Sequence, residues 1–216
     1  MTRRNANGDR GRSKGRAYRS PLRVEQAEQT RVRILRAFGD EVCRCGNGDV
    51  TLRQVAARAG VSAPTLYRNF SSLDELADAF WAWMEPKFGD IAKVERPDDV
   101  PSFVEKLFTR FGELDALVTA MLLTRPGRKM RERSLARRKQ ALVQALSSLT
   151  RQMPEADAHA VVGLIKVLVS GSAWHQLHQE WGLDGAAAGR VAAWALRTLI
   201  GELRRNSNPL KKEIET

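Results

Sequence analysis

Residues 50–70 read Val50-Thr51-Leu52-Arg53-Gln54-Val55-Ala56-Ala57-Arg58-Ala59-Gly60-Val61-Ser62-Ala63-Pro64-Thr65-Leu66-Tyr67-Arg68-Asn69-Phe70, and this stretch decides the fold. Thr51 followed three residues later by Gln54 is a capping box, in which the threonine oxygen accepts from the amide three residues on and the glutamine reaches back. The short helix it starts ends at Ala59. Gly60 supplies the turn, because a residue without Cβ enters the left-handed region at no steric cost. Ser62 begins a second helix, with Pro64 in the first turn where no intrahelical bond is lost. Val55, Val61 and Leu66 form a small core between the two helices, and Ala56 lies under the second. The outward face of that second helix then carries Ala63, Pro64, Thr65, Tyr67, Arg68 and Asn69: a guanidinium, an amide, methyl groups and a phenol, the groups that read base edges and grip phosphates.

Upstream, Ile34, Leu35, Phe38 and Val42 recur at helical spacing and predict a helix with one buried face from about Arg23 to Cys45. Before it, Met1 to Arg23 holds eight basic residues against the single acid Asp9, interspersed with Gly8, Gly11, Ser13 and Gly15. Residues 1–22 are expected to be a disordered basic arm. Its Arg16 and Arg19 would lie along a phosphate backbone or enter a minor groove; the plainer alternative is a solubilising tail. Downstream, Ser72 and Glu75 repeat the capping-box pattern and start a longer helix through Leu76, Phe80, Trp83 and Met84.

The run from Val50 to Ser62, then Thr65 to Phe70 and Glu75-Leu76, resembles the N-terminal signature of the TetR family of regulators. The resemblance is dense over about Ile34 to Phe80 and reduces to helix layout beyond it. It implies a three-helix DNA-binding unit whose third helix, Ala63 to Phe70, enters the major groove while Thr51, Tyr67 and the start of the fourth helix grip phosphates. Together with Arg53 and Ser62 these make up the expected DNA-contact set. The sequence departs from the family habit at Leu73, where members often carry Lys, and at Asn69, where they often carry His.

The fold expected is all-α, with about nine helices: a helix-turn-helix domain at 23–71, a helical effector-binding and dimerisation domain at 72–205 and a flexible tail at 206–216. One long helix is predicted from about Arg128 to Gln152, its basic run Arg128, Lys129, Arg131, Arg133, Arg137, Arg138 and Lys139 read as a solvated face. Aromatics and methionines gather around an expected apolar ligand cavity lined by Trp83, Met84, Phe88, Phe103, Leu107, Phe111, Met121, Leu122, Leu142, Leu146, Val162, Ile165 and Val169. Val161 to Val169 is apolar almost all round, and the last helix is rich in small residues that let another helix approach. These two helices are expected to form half of an intersubunit four-helix bundle through Leu168, Gly171, Ser172, His175, Ala192, Ala195, Leu196 and Leu199.

At 216 residues, 43% hydrophobic and 28% charged, the chain can bury a sizeable core and is neither disordered nor membrane-embedded in composition. The apolar stretch 160–173 is broken by Lys166, too short an uninterrupted run to span a bilayer, and residues 1–23 lack the apolar block of a secretory signal. A cytoplasmic protein with no membrane partner is expected. Cys43 and Cys45, two apart on a helix, point in different directions and read as reduced thiols. His175 and His178 lack a third ligand at helical spacing, so neither metal nor other cofactor is expected. There is no His-Glu-x-x-His, no phosphate-cradling glycine loop and no nucleophile with an interpretable base, so no catalytic residue is assigned. The net charge of +11 agrees with an anionic partner. The reading is a homodimeric, sequence-specific regulator of double-stranded DNA, a repressor released from a palindromic operator by a small, mostly apolar organic effector. The alternative is a non-specific architectural DNA-binding protein.

Overall fold

The computed structural model describes residues 21–45, 48–90 and 93–211. The expected arm, with Arg16 and Arg19, and residues 212–216 lie outside the described residues. Among the described residues the chain forms eleven α-helices and no strand. They are α1 (Pro21–Arg44), α2 (Leu52–Ala59), α3 (Ala63–Asn69), α4 (Leu73–Phe88), α5 (Asp99–Glu113), α6 (Asp115–Leu123), α7 (Arg125–Arg133), α8 (Leu135–Thr150), α9 (Glu155–Leu168), α10 (Gly171–Trp181) and α11 (Gly185–Arg205). No single helix among them is long and apolar enough to cross a membrane.

Two of the expected nine helices are broken. The predicted helix from Arg128 to Gln152 divides at Ser134 into α7 and α8. The apolar helix after Pro154 divides at Val169 and Ser170, where Ser170 turns extended and its Oγ accepts from the Ala173 amide as an N-cap. Neither break carries a proline or a glycine with positive φ; in each, a serine lies at the start of the following helix. At the start of α5, Asp98 makes no side-chain cap bond and pairs with Arg204 of α11, while Asp99 pairs with Arg96. The tail is anchored as far as it is described, since Asn208 Nδ2 donates to Asp157 at 2.8 Å.

The core is continuous from Ile34 and Phe38 on α1, through Phe80 and Met84 on α4, to Phe108, Leu146, Trp174 and Leu196. Its most extensive seam joins α5 and α11. A Cβ on Gly185 would lie 2.4 Å from the Phe108 carbonyl oxygen, and one on Gly189 would lie 2.8 Å from that of Glu105. The small residues of α11 therefore serve a contact within the subunit. Ala188, Ala192 and Leu196 continue the same buried stripe, at 0%, 5% and 0% exposure, which corrects the assignment of Ala192 and Leu196 to a subunit interface. Gly185→Val should force these backbones apart and destabilise the chain by about 1–3 kcal/mol. Gly201→Ala, whose added methyl meets only the tip of Arg205 at 3.9 Å, should be stabilising by about 0.5–1 kcal/mol. Paired denaturant titrations check both, and equal midpoints would contradict the seam.

Candidate functional site

The helix-turn-helix is assembled by local chemistry. Thr51 Oγ1 accepts from the Gln54 amide at 3.3 Å while the Gln54 side chain accepts from the Thr51 amide at 2.9 Å, so both arms of the capping box are made. Gly60 takes φ 62° and ψ 38°, and the Val61 amide donates to Ala56 O at 3.0 Å, closing α2 with a left-handed cap. Ser62 caps α3 through the Thr65 amide, and Ser72 caps α4 through the Glu75 amide. The second capping box departs from expectation. The Glu75 carboxylate accepts from the amide and hydroxyl of Ser71, at 2.7 and 2.6 Å, rather than reaching Ser72. These bonds hold the Glu75 carboxyl below the usual carboxylate range.

With Val55 and Leu66 fully buried and Ala56 nearly so, the two helices bury one side and leave the other bare. Ser62, Ala63, Pro64, Tyr67 and Arg68 are exposed, Tyr67 at 56%, as are Thr51 and Arg53 at the entry to α2. Thr65 is half-buried, its hydroxyl 2.9 Å from that of Ser62. Asn69 is the weakest member of the expected set. It is half-buried and one amide hydrogen is already donated to Thr65 O at 2.8 Å. Behind the unit, Arg31 lies 4.5 Å over the Phe70 ring, and Phe38 and Phe80 meet edge to face with centroids 5.3 Å apart. The second contact fixes α4 against α1.

A cavity of about 450 Å³ opens among α4 to α10, within the range of small-molecule sites. Of the residues expected to line it, Phe88, Phe103, Leu107, Phe111, Met121, Leu122, Leu142 and Val169 do so. Met84, Leu146, Val162 and Ile165 are instead buried packing, and Trp83 stacks under Lys87, whose Nζ is 3.4 Å from the ring centroid. On α4 the wall is made by Trp81, Glu85 and Phe88, so the helix face was misassigned at Trp83. Counting back seven from Phe88 reaches Trp81, the signal that locates this face. Gly171 and Ser172, expected in a subunit interface, also line the cavity, with a Gly171 Cβ reaching Leu122 at 3.4 Å.

The larger omission is cationic. Arg128, Arg131, Arg138 and Lys166 line the cavity, and Arg131 and Arg138 are half-buried rather than part of a solvated face. Burial, then repulsion from Arg128 at Arg131 and from Arg131 at Arg138, pushes both guanidinium pKa values down from their ordinary value. The thiols and histidines lie outside the cavity wall. Burial raises the Cys43 and Cys45 pKa values, and His178 stacks on Trp174 with Nδ1 2.8 Å from Leu183 O. Among the described residues no group of three His, Cys, Asp or Glu side chains converges as a metal site would require.

The described residues are helical; they carry a basic-lined cavity among α4 to α10 and present an exposed helix-turn-helix, the last of these being the layout of a DNA-binding regulator. The comparisons agree with the N-terminal part of that description. Residues 46–80 match the family profile described as "Bacterial regulatory proteins, tetR family". The match spans α2, α3 and the first half of α4. Its fold is similar to that of a transcriptional regulator from Rhodococcus sp. Rha1, at 16% identity and TM-score 0.56, covering 79% of this chain and 96% of that one. It is also similar to a protein assigned as a transcriptional regulator from Pseudomonas aeruginosa PAO1, at 16% identity and TM-score 0.55, covering 82% and 94%. No curated protein matches in sequence. Gly60→Ala, which places a Cβ at positive φ, should weaken the domain by about 1–2 kcal/mol. Its effect should be read as a lower thermal midpoint with the helical circular-dichroism spectrum retained at low temperature.

Proposed function

We propose that this protein is a cytoplasmic, homodimeric, sequence-specific transcriptional regulator, a repressor released from a palindromic operator when a small organic effector enters the cavity. The observation that carries the reading is the bare face of α3, where Tyr67 and Arg68 stand exposed beside exposed Ala63 and Pro64. A helix of this kind fits the major groove, and two of them related by a twofold axis fit a palindrome. Support for the dimer comes from apolar side chains outside the expected set. Leu164 and Val167 on α9 are 52% and 56% exposed, and Val191 and Trp194 on α11 are 44% and 64% exposed. Three residues apart in each case, the two members of a pair lie on one face of their helix. From the sequence-based set, Leu168 on α9, His175 on α10, and Ala195 and Leu199 on α11 are half-buried.

Effector response is carried by α4, which starts at the Ser72 cap beside α3 and presents Trp81, Glu85 and Phe88 to the cavity. A ligand that separates these residues from α7 tilts α4 and, through the Phe38 and Phe80 contact, re-aims α3.

Selection of bound duplexes from a random pool tests the function, and a palindrome should be recovered. The site should be preferred over random DNA by ~10³-fold or more; equal competition by random DNA would establish the architectural alternative. On the recovered site, Tyr67→Ala should weaken binding with folding intact, and Arg68→Ala should lower base discrimination by about 1–3 kcal/mol. Unaltered binding in both would remove α3 from the groove.

For the dimer, Trp194→Glu should shift the species seen by light scattering from twice the chain mass to one. Operator affinity should fall with it, because the two half-sites are no longer bound as one unit.

A further inference from the structure

Arg131 and Arg138 lie seven residues apart on consecutive helices, with Leu135 and Leu142 between and beyond them, and all four line the cavity. Arg131 donates Nε to Met121 O at 2.9 Å and Nη2 to Leu122 O at 3.3 Å. Arg138 donates Nε to Ser134 O at 3.4 Å and Nη2 to Arg131 O at 3.1 Å, its Cζ 5.6 Å from the Trp81 ring centroid. These partners are neutral carbonyls and a π face. Among the described residues no carboxylate lies within ion-pair distance of either guanidinium: of the two acids lining the cavity, Glu85 pairs with Arg137 and Glu132 is exposed, and they act on Arg138 and Arg131 only from a longer range. A guanidinium has five donors, so each arginine keeps N–H groups beyond those its carbonyls use. A half-buried cation without a counter-ion is an unfavourable arrangement that a fixed anion relieves.

Two further features carry the same sign. Lys166 and Arg128 lie on the cavity wall, and so do the first residues of α10, Gly171 and Ser172, at the positive end of an eleven-residue helix. The remainder of the wall, including Phe103, Leu107 and Met121, is apolar.

We infer that the effector is an amphipathic organic anion, its apolar body against Phe103, Leu107 and Met121 and a carboxylate head held by the guanidiniums of Arg131 and Arg138. The inference rests on the effector-cavity reading above and narrows its ligand from a mostly apolar molecule to a charged one. The carboxylate accepts the free N–H donors, and a neutral or cationic molecule of the same length leaves the two arginines without a direct ion pair.

The test titrates the full-length protein with decanoate, decanol and decyltrimethylammonium, each below its micelle concentration, by calorimetry and by tryptophan fluorescence, since Trp81 lines the cavity. Decanoate should bind about tenfold or more tightly than decanol, the factor of one charge-assisted contact, and decyltrimethylammonium weakest of all. Arg131→Met and Arg138→Met should each abolish that preference, read as the ratio of decanoate to decanol affinity in the same variant, and Arg138→Lys should retain part of it. Thermal unfolding of each variant accompanies the titrations; should a variant fail to fold, the comparison of the three ligands on the unmodified chain decides alone. Leu107→Trp, which fills the cavity, should block decanoate. If decanol binds as well as decanoate and Leu107→Trp blocks both, the anion inference falls and the effector cavity stands. If none of the three binds, or binding ignores Leu107→Trp, the effector reading falls and takes the inference with it.

Discussion

The edge-to-face contact of Phe38 with Phe80 is the constraint on which the arrangement of this molecule depends. It is possible because residue 39 is glycine: a Cβ there would lie 2.9 Å from Phe80 Cε2, inside the ring's own contact distance. Such contacts contribute beyond the area they bury, by ~0.5–1.5 kcal/mol. Phe38 belongs to the helix that supports α2 and α3 through Ile34, Leu35 and Val42, all fully or nearly buried. Phe80 belongs to the helix whose neighbouring residues Trp81 and Phe88 face the cavity. One ring pair therefore fixes the direction of the exposed α3 face relative to the place where a ligand would enter. A second link runs on the surface, where Lys129 of α7 lies 2.9 Å from Asp74 in the first turn of α4. It is exposed on both sides and contributes little by itself.

What was legible in the sequence was what depends on neighbours in the chain. The Thr51 and Gln54 box, the left-handed Gly60, the Ser62 cap and the burial of Val55 and Leu66 are local, and each was readable from residue type and spacing. Two helix breaks were not, because no proline or positive-φ glycine marks Ser134 or Val169-Ser170, and an apolar period runs across both. The alanine and glycine stripe of α11 showed the opposite difficulty. Small residues announce a close approach but not whose backbone approaches, and the partner is α5 of the same chain. The exposed stripes with Trp194 and Leu164 became visible only once burial separated the faces of the helices.

The cavity wall follows the same logic with charge. Arg128, Arg131, Leu135, Arg138 and Leu142 fall at intervals of three and four, the spacing of a single helical face. Read by composition the segment is basic and solvated; read by period it is a face on which arginines alternate with leucines. Long arginine stems lie along apolar surface with the head free to bond, so the two descriptions are compatible, and only packing chooses between them.

That packing also bears on how an occupied cavity would reach α3. The carbonyls that Arg131 and Arg138 now occupy, Met121 O, Leu122 O, Arg131 O and Ser134 O, lie at the ends of α6 and α7. At that corner a Cβ on Gly127 would come within 2.3 Å of Met121 Cα, so α6 and α7 have no slack between them. An anion that draws the guanidiniums toward itself weakens their hold on these carbonyls, and a corner this close-packed responds by moving as a unit rather than by local give. Since α6 packs on α1 and α7 packs on α4, both supports of the helix-turn-helix feel that displacement. A difference of ~1–3 kcal/mol in effector affinity between two positions of α4 is the usual size of such linkage, comparable to the strength of a few charge-assisted hydrogen bonds. On this reading the same two arginines recognise the ligand and hold the hinge, which is why their neutral carbonyl partners matter: a carboxylate already in place would have left nothing for a ligand to change.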